Sequence, residues 1–323
     1  MHDALPLRMD VDGATRTATV ARAEHPVAVA VLPLGAWLEP ALALPLIEIA
    51  LDVTIRTPVS VSSPACAVVR GLIGQRLRDL RCLTGAPTCS GCPVAAACDY
   101  GRIFEGGSPH SFWLQGIPAT TELDPGAQFA ARLYLAAPAH TVAQYLDVTL
   151  RDALRALDPD AVLSASRVRA LTLGELMPAA PSPPEDGRLH LRTETPLWLR
   201  GDEALCRALC PGVPWLALLA RAGIRRLDAL VRAFAPPVGG RLPRAELPDL
   251  VTVELIRGAF TPWSSSRFSH RQRQRMALEG LQGDAVVHGP NLAALAPLLR
   301  ALTVTSVGKS TSLGLGTLRA VTP

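Results

Sequence analysis

The chain has 323 residues, 49% hydrophobic and 19% charged, which is ample for one or two cores and excludes disorder along its whole length. Aromatic residues make up only 4%, so an aliphatic core of Leu, Val and Ala is expected. The formal charge of +4 is concentrated: from Val251 to Pro323 eight bases face only Glu254, Glu279 and Asp284. That asymmetry predicts a localised polyanion site on an otherwise near-neutral body. No membrane or export segment is expected. The apolar stretch from Val27 to Leu38 is broken by Pro33 and is shorter than the ~18 residues a span needs. Asp3, Asp10 and Asp12 do not suit a signal peptide. Seven cysteines, four of them clustered, fit a reducing cytoplasm better than a disulfide framework.

In chain order, Leu46 to Val61 alternates well enough for a strand. Ser63-Pro64 then offers an N-cap followed by proline at the first helical position. Beyond it Ala65, Val68, Val69, Leu72, Ile73, Leu77 and Leu80 recur at helical spacing, with Arg70, Arg76, Arg78 and Arg81 on the other face. A Cys-rich insert follows, then a strand at Gln128 to Ala136, a helix from Val142 to Leu157, and a strand near Ser164 to Leu173. Pro178 to Arg188 carries four prolines in its first seven residues, so neither helix nor central strand can pass through it. It divides the chain into 1–177, a linker at 178–188, and 189–323. The second part repeats the order: a strand at Leu189 to Leu199, then a helix from Pro214 to Phe234 buried through Trp215, Leu218, Leu219, Leu230, Val231 and Phe234. Pro236 to Pro248 reads as a surface loop. Two short strands within Ser266 to Val287, a short helix within Asn291 to Leu302 and a final strand complete it. Strand–helix–strand–strand–helix–strand, twice over, is an α+β reading of split βαβ units.

The sharpest motif is Cys82, Cys89, Cys92 and Cys98, spaced C-x6-C-x2-C-x5-C. Four thiolates within 17 residues can close a tetrahedral shell, the x2 pair forming a tight knuckle. The spacing is similar to that of the [4Fe–4S] loop of helix-hairpin-helix DNA glycosylases, which favours iron–sulfur over zinc. The expected role is structural.

Gly308-Lys309-Ser310-Thr311 ends like a P-loop, but Thr303 stands where the first glycine is required. The wider stretch through Gly314-Leu315-Gly316 suits a loop that brings backbone N–H groups close to phosphates. Arg267, Arg271, Arg273 and Arg275 alternate in RFSHRQRQR. On one strand they would form a single-faced basic ladder, with Phe268, His270, Gln272 and Gln274 on the opposite face. None of the seven histidines makes a paired metal spacing, and no G-x-S-x-G elbow is present. Cys206 and Cys210 read as small buried residues.

Taken together, Arg70-Gly71 with RCLTGAPTCSGCPVAAACDYGRIFE, then Arg225-Arg226-Leu227, then SRFSHRQRQRM with SVGKSTSLGLGTLRA, resemble one family. It is the CRISPR-associated endoribonucleases of the RAMP superfamily that cut repeat RNA, in particular the subset with a four-cysteine insert. The resemblance implies tandem ferredoxin-like (βαββαβ, RRM-like) domains, the first carrying the Cys-rich metal-binding insert at 82–98. It implies repeat-RNA contacts through Arg267, Arg271, Arg273, Arg275, Gly308, Lys309, Ser310, Gly314 and Gly316, and through Arg76 and Arg78. It also implies metal-independent cleavage, in which a 2′-OH attacks its own phosphate to leave a 2′,3′-cyclic phosphate, and retention of the product within a CRISPR effector complex. The chain departs from the family in having no His between Pro64 and Arg81. His270 is then the candidate base, and a catalytically inactive crRNA-binding subunit is the alternative. A DNA-repair enzyme would need an acidic helix-hairpin-helix, which is not apparent.

Overall fold

The computed structural model describes residues 31–86, 88–137, 139–178, 187–199, 214–235, 243–250, 253–269 and 274–321. Strand β1 (Val31–Pro33) leads into helix α1 (Leu34–Leu42), then β2 (Pro45–Thr54), β3 (Val59–Ser60) and α2 (Ala65–Arg81). Next come α3 (Asp99–Phe104), β4 (Phe112–Gln115), β5 (Glu122–Leu123), β6 (Gln128–Leu135), α4 (Ala143–Leu157), β7 (Val162–Leu163), β8 (Arg167–Thr172) and α5 (Leu173–Leu176). The second half holds β9 (Arg188–Thr193), α6 (Pro214–Phe234), β10 (Arg244–Glu246), β11 (Glu254–Ser269), β12 (Gln274–His288), α7 (Leu292–Thr305) and β13 (Leu318–Val321).

In the first half β2 is central, antiparallel to β6 on one side and to β7 and β8 on the other, with β4 beyond β6. Ile49, Leu51 and Val53 of β2 point to one face and are buried under α2 and α4. Ala65, Val69, Ile73 and Leu77 of α2 meet them at helical spacing. The second half has the same connectivity and the order β11-β12-β9-β13, its Leu189 and Leu191 packing beneath α6 and α7. Both halves therefore show the βαββαβ order read from the sequence.

Several local expectations are corrected. Pro64, not Ser63, occupies the N-cap of α2, and no side chain caps it. Leu80 is exposed, because it falls past the end of the buried stripe. The first strand stops at Thr54, and only Val59–Ser60 resumes it. The two short strands expected within Ser266 to Val287 are a single hairpin of 16- and 15-residue strands. Thr261, Pro262 and the run Ser264-Ser265-Ser266 in β11 hide its strand pattern; Pro262 is tolerated because β11 is an edge strand. The loop expected from Pro236 to Pro248 contains β10, which pairs in parallel with β1. Most of the expected linker, like Cys206 and Cys210, lies outside the described residues.

The two halves interlock. Leu34, Trp37 and Leu38 of α1 lie in the second half's core, and Trp37 Nε1 donates to the Pro243 carbonyl at 3.1 Å. In return Leu278, Leu313 and Leu315 of the second half are buried in the first half's core.

Two tests follow from this packing. Gly316 has φ 77°, and a Cβ there would lie 2.0 Å from the Val307 carbonyl oxygen. Gly316→Ala should cost about 3 kcal/mol or more, read as a fall in the thermal midpoint. Asp158, at the end of α4, is buried, which by itself would raise its carboxyl. Its bonds from the N–H groups of Arg56, Thr57 and Asp160 and from the Thr57 hydroxyl outweigh that and hold it below the usual 3.8. A depressed carboxylate contributes stability above 3.8 that is lost as pH falls through its folded value. Asp158→Ala should cost about 1–3 kcal/mol at pH 7 and flatten the decline in melting temperature below pH 4.

Candidate functional site

The last turn of α7 leaves carbonyls without helical partners, and side chains of both halves reach them. Gln115 Nε2 donates to Thr303 O at 3.0 Å, Val304 O at 2.8 Å and Ser306 Oγ at 2.9 Å. Trp113 Nε1 donates to Val304 O at 2.7 Å, and Arg226 Nε to Thr305 O at 3.3 Å. The Arg226 guanidinium lies 5.2 Å from the Trp113 ring centroid. Burial lowers its pKa to about 10, which still leaves a cation at neutral pH at the helix's negative end. Ser306 leaves the helix at φ 52°, ψ 168°, a conformation L-residues rarely hold, and its hydroxyl is fixed by Gln115.

The glycine-rich loop starts there. Its N–H groups at Lys309, Leu313, Gly314, Leu315 and Gly316 donate to carbonyls of Trp198, Ser310, Thr311, Ser310 and Pro196. These amides hold the loop's own shape. Gly314 is buried; a Cβ on it would lie 3.0 Å from Cys66 Cβ at the start of α2. Gly308, Lys309 and Ser310 keep partial exposure, and Lys309 Nζ sits 3.8 Å from the Trp198 ring centroid.

The arginine ladder does not survive as one face. The chain reverses between Ser269 and Gln274, and the register opposes Arg267 to Met276 and Phe268 to Arg275. Directly opposed residues share a face, so Arg267 and Arg275 lie on opposite faces of the hairpin. Arg267 Nη2 accordingly approaches Met276 Sδ at 3.4 Å, and Arg275 Nη1 the Ser266 hydroxyl at 3.4 Å. His270, Arg271 and Arg273 lie outside the described residues.

The four cysteines form a lobe at the far end of α2, away from the loop. Cys82 Sγ is lowered by the N–H groups of Thr84 and Gly85, and Cys89 is raised first by burial and then by Glu105 and Cys98. Gly91, between Cys89 and Cys92, takes the left-handed φ of 75° that the short turn needs. Cys92 Sγ lies 3.5 Å from Thr84 Oγ1, while Cys98 Sγ points to the Arg81 carbonyl at 3.8 Å. The donor types suit zinc or iron–sulfur. Among the described residues no three His, Cys, Asp or Glu side chains stand together as a ready-made shell. Arg76 is exposed beside this lobe; Arg78 bonds the Ala86 carbonyl and stacks on Tyr100, which gives it a local structural role. Arg81 pairs with Asp99 at 2.6 Å and ties the lobe down.

The structure adds a site that sequence reading missed. The open faces of the two sheets enclose a cleft of about 790 Å³, lined by Gln128, Phe129 and Arg132 from the first half and Arg192, Trp263, Gln282 and Arg319 from the second. Arg319 pairs with Glu194 at 3.0 Å and Arg132 approaches Glu48 at 3.9 Å. Among the described residues Arg192 has no carboxylate partner within ion-pair distance, so its charge faces the cleft. The signal was present in RLHLRT, whose alternation puts Arg188, His190 and Arg192 on the polar face.

Residues 191–318 match the family model described as CRISPR-associated endoribonuclease Cas6. The second half is Cas6-like. Residues 44–157 match the AF_1859_N family model, an N-terminal domain, so the Cas6-like half and the one before it match separate models. Among solved structures, the chain is similar to a Cas6 product complex at 15% identity, covering 85% of this chain and 100% of that one, TM-score 0.43. A partial Cas6-RT-Cas1–Cas2 complex gives 12% identity over 86% of this chain and 46% of that one, TM-score 0.49. A Cas6-related protein from Pyrococcus furiosus gives 14%, 85% and 98%, TM-score 0.39. No curated protein matches. No helix among the described residues is long and apolar enough to cross a membrane.

Arg192→Ala should elute from heparin at lower salt than the parent chain, its salt slope reduced by roughly 0.7–0.9. Arg167→Ala, which removes a cation already paired with Asp52 at 3.0 Å, should shift elution much less.

Proposed function

We propose that the chain binds CRISPR repeat RNA along the cleft between its two sheets and cleaves it without a metal ion. A 2′-OH attacks the adjacent phosphate, leaving a 2′,3′-cyclic phosphate and a 5′-OH, and the protein keeps its product as a subunit of an effector complex in the cytoplasm. The observation that carries this reading is the Cas6 family match over residues 191–318. That segment contributes Arg192 to the cleft, together with the basic hairpin and the loop at Gly308-Lys309-Ser310, and Arg319 follows immediately after it. Arginines at a cleft wall supply salt-dependent phosphate binding, and Trp263 and Phe129 offer faces on which bases stack. The absence of any His in α2 favours a second reading, an inactive crRNA-binding subunit.

Incubating the chain with an uncut repeat RNA, rebuilt from the two ends of the RNA that co-purifies with it, in excess EDTA separates the two. Cleavage to a cyclic-phosphate end, seen by mass spectrometry, supports the enzyme; tight binding with intact RNA supports the binding subunit.

The cysteine lobe is proposed to close around one structural metal, an iron–sulfur cluster ahead of zinc, with no part in the chemistry. The C-x2-C pair around the left-handed Gly91 supports it. Metal analysis of protein purified without oxygen should find iron and a visible absorption band, and Cys89→Ser should lower stability while leaving the cleavage rate per folded molecule unchanged.

A further inference from the structure

The open face of the second-half sheet carries a cluster of titratable groups that the sites above leave unused. On β9, Leu189, Leu191 and Thr193 are buried, so His190 and Arg192 stand on the opposite face. The register opposes Arg192 to Asp284 on β12 and to Arg319 on β13, and places His288 opposite Arg188. Opposed residues share a face, and diagonal neighbours lie about 7–8 Å apart. His190, with buried Val286 directly opposite, therefore has Asp284 and His288 as its diagonal neighbours on β12, and Arg192 and Arg319 follow along the same face on the Asp284 side. His190 Nε2 lies 3.2 Å from Asp284 Oδ2, and its side chain is 28% exposed. Arg192 and Arg319 also line the cleft, so the patch continues the proposed RNA track.

We propose that His190 is the general base and His288 the general acid for RNA cleavage, an inference that rests on the RNA-binding reading above. With Nε2–H donated to Asp284, the tautomer leaves the Nδ1 lone pair to accept the 2′-OH proton. The 2′ oxygen then bonds to the adjacent phosphorus, and the P–O5′ bond breaks as His288, in its imidazolium form, protonates the leaving oxygen. The products are a 2′,3′-cyclic phosphate and a 5′-OH. No water, metal or oxidant is consumed, and the two imidazoles exchange protonation states that solvent resets. Arg192 and Arg319 lie where they can stabilise charge on the pentavalent phosphorus. The chemistry needs a base, an acid and cations, and here one sheet face presents all three, with His190 between His288 and the arginine pair. It needs no histidine in α2.

The charged groups facing His190 are Arg188 and Arg192 along its own strand, Asp284 and His288 on β12, Arg319 on β13 and, opposite Val286, Arg257 on β11. The test is single-turnover cleavage of an uncut repeat RNA, synthesised with a 5′ label, at saturating protein in EDTA across pH 5–9, with melting curves for each variant. His190→Ala should lower the rate by about 100-fold or more with affinity within twofold. Asp284→Asn should give an intermediate loss and His190→Gln no rescue. His288→Ala should slow the reaction and remove the decline on the alkaline side, since the acid whose deprotonation causes it is gone. A folded His190→Ala protein that cleaves at the parent rate overturns the proposal while leaving RNA binding intact. A parent chain that binds RNA but never cuts it also overturns it; a parent chain that binds no RNA removes the underlying reading as well.

Discussion

The constraint on which the rest depends is the C-terminal turn of α7, whose exposed carbonyls are satisfied from both halves of the chain. Gln115 and Trp113 come from β4 and Arg226 from α6, and all three donate to the same turn. Each buried carbonyl left without a donor would cost about 1–3 kcal/mol, so the three contacts act together to fix one angle between the sheets. That angle sets the width of the cleft. It also sets the exit of the chain at Ser306, and hence the path of the glycine-rich loop.

The loop is therefore more a joint than a cradle. Leu313 and Leu315 are fully engaged in the first half's core, and Gly314, at a φ of 91°, packs so close to Cys66 that a Cβ on it would lie 3.0 Å from the Cys66 Cβ. Only its first residues, Gly308 to Ser310, remain partly accessible. Packing thus divides a single motif into an anchoring part and a part that can meet a ligand. The long hairpin is divided in a similar way: Leu278 anchors it in the first half's core, while its tip carries Arg267 and Arg275 outward on opposite faces.

Charge in this protein is also shaped by pairing more than by count. Several cations of the two sheets have a carboxylate nearby: Arg132 and Arg169 at Glu48, Arg167 at Asp52, Arg319 at Glu194, of which Arg132 and Arg319 line the cleft. Such pairs hold side chains in place and contribute little net field at the surface. Arg192 differs: among the described residues it has no carboxylate within ion-pair distance, and it lines the cleft. The same strand presents His190 to Asp284, so positive charge and a titratable base are set by one period-2 alternation.

From the sequence alone came the α+β class, the repeated βαββαβ order, the spans of α2, α4 and α6, and the cysteine cluster as a local unit. The helix spans and the cysteine cluster rest on periodicity or spacing over about 20 residues, where local propensity and burial agree, while the tandem order rests more on the family resemblance. What only the tertiary structure decided is which residues meet. The arginines at 267 and 275 look like neighbours on one ladder, but the reversal between Ser269 and Gln274 turns them to opposite faces. Arg132, Arg192 and Arg319 are far apart in the chain yet share one cleft, because antiparallel register and the joint at α7 bring distant polar faces together. Periodicity assigns a side chain to a face; pairing partners and the angle between sheets, which depend on contacts far apart in the chain such as Trp113 with Val304, 191 residues on, decide what that face confronts.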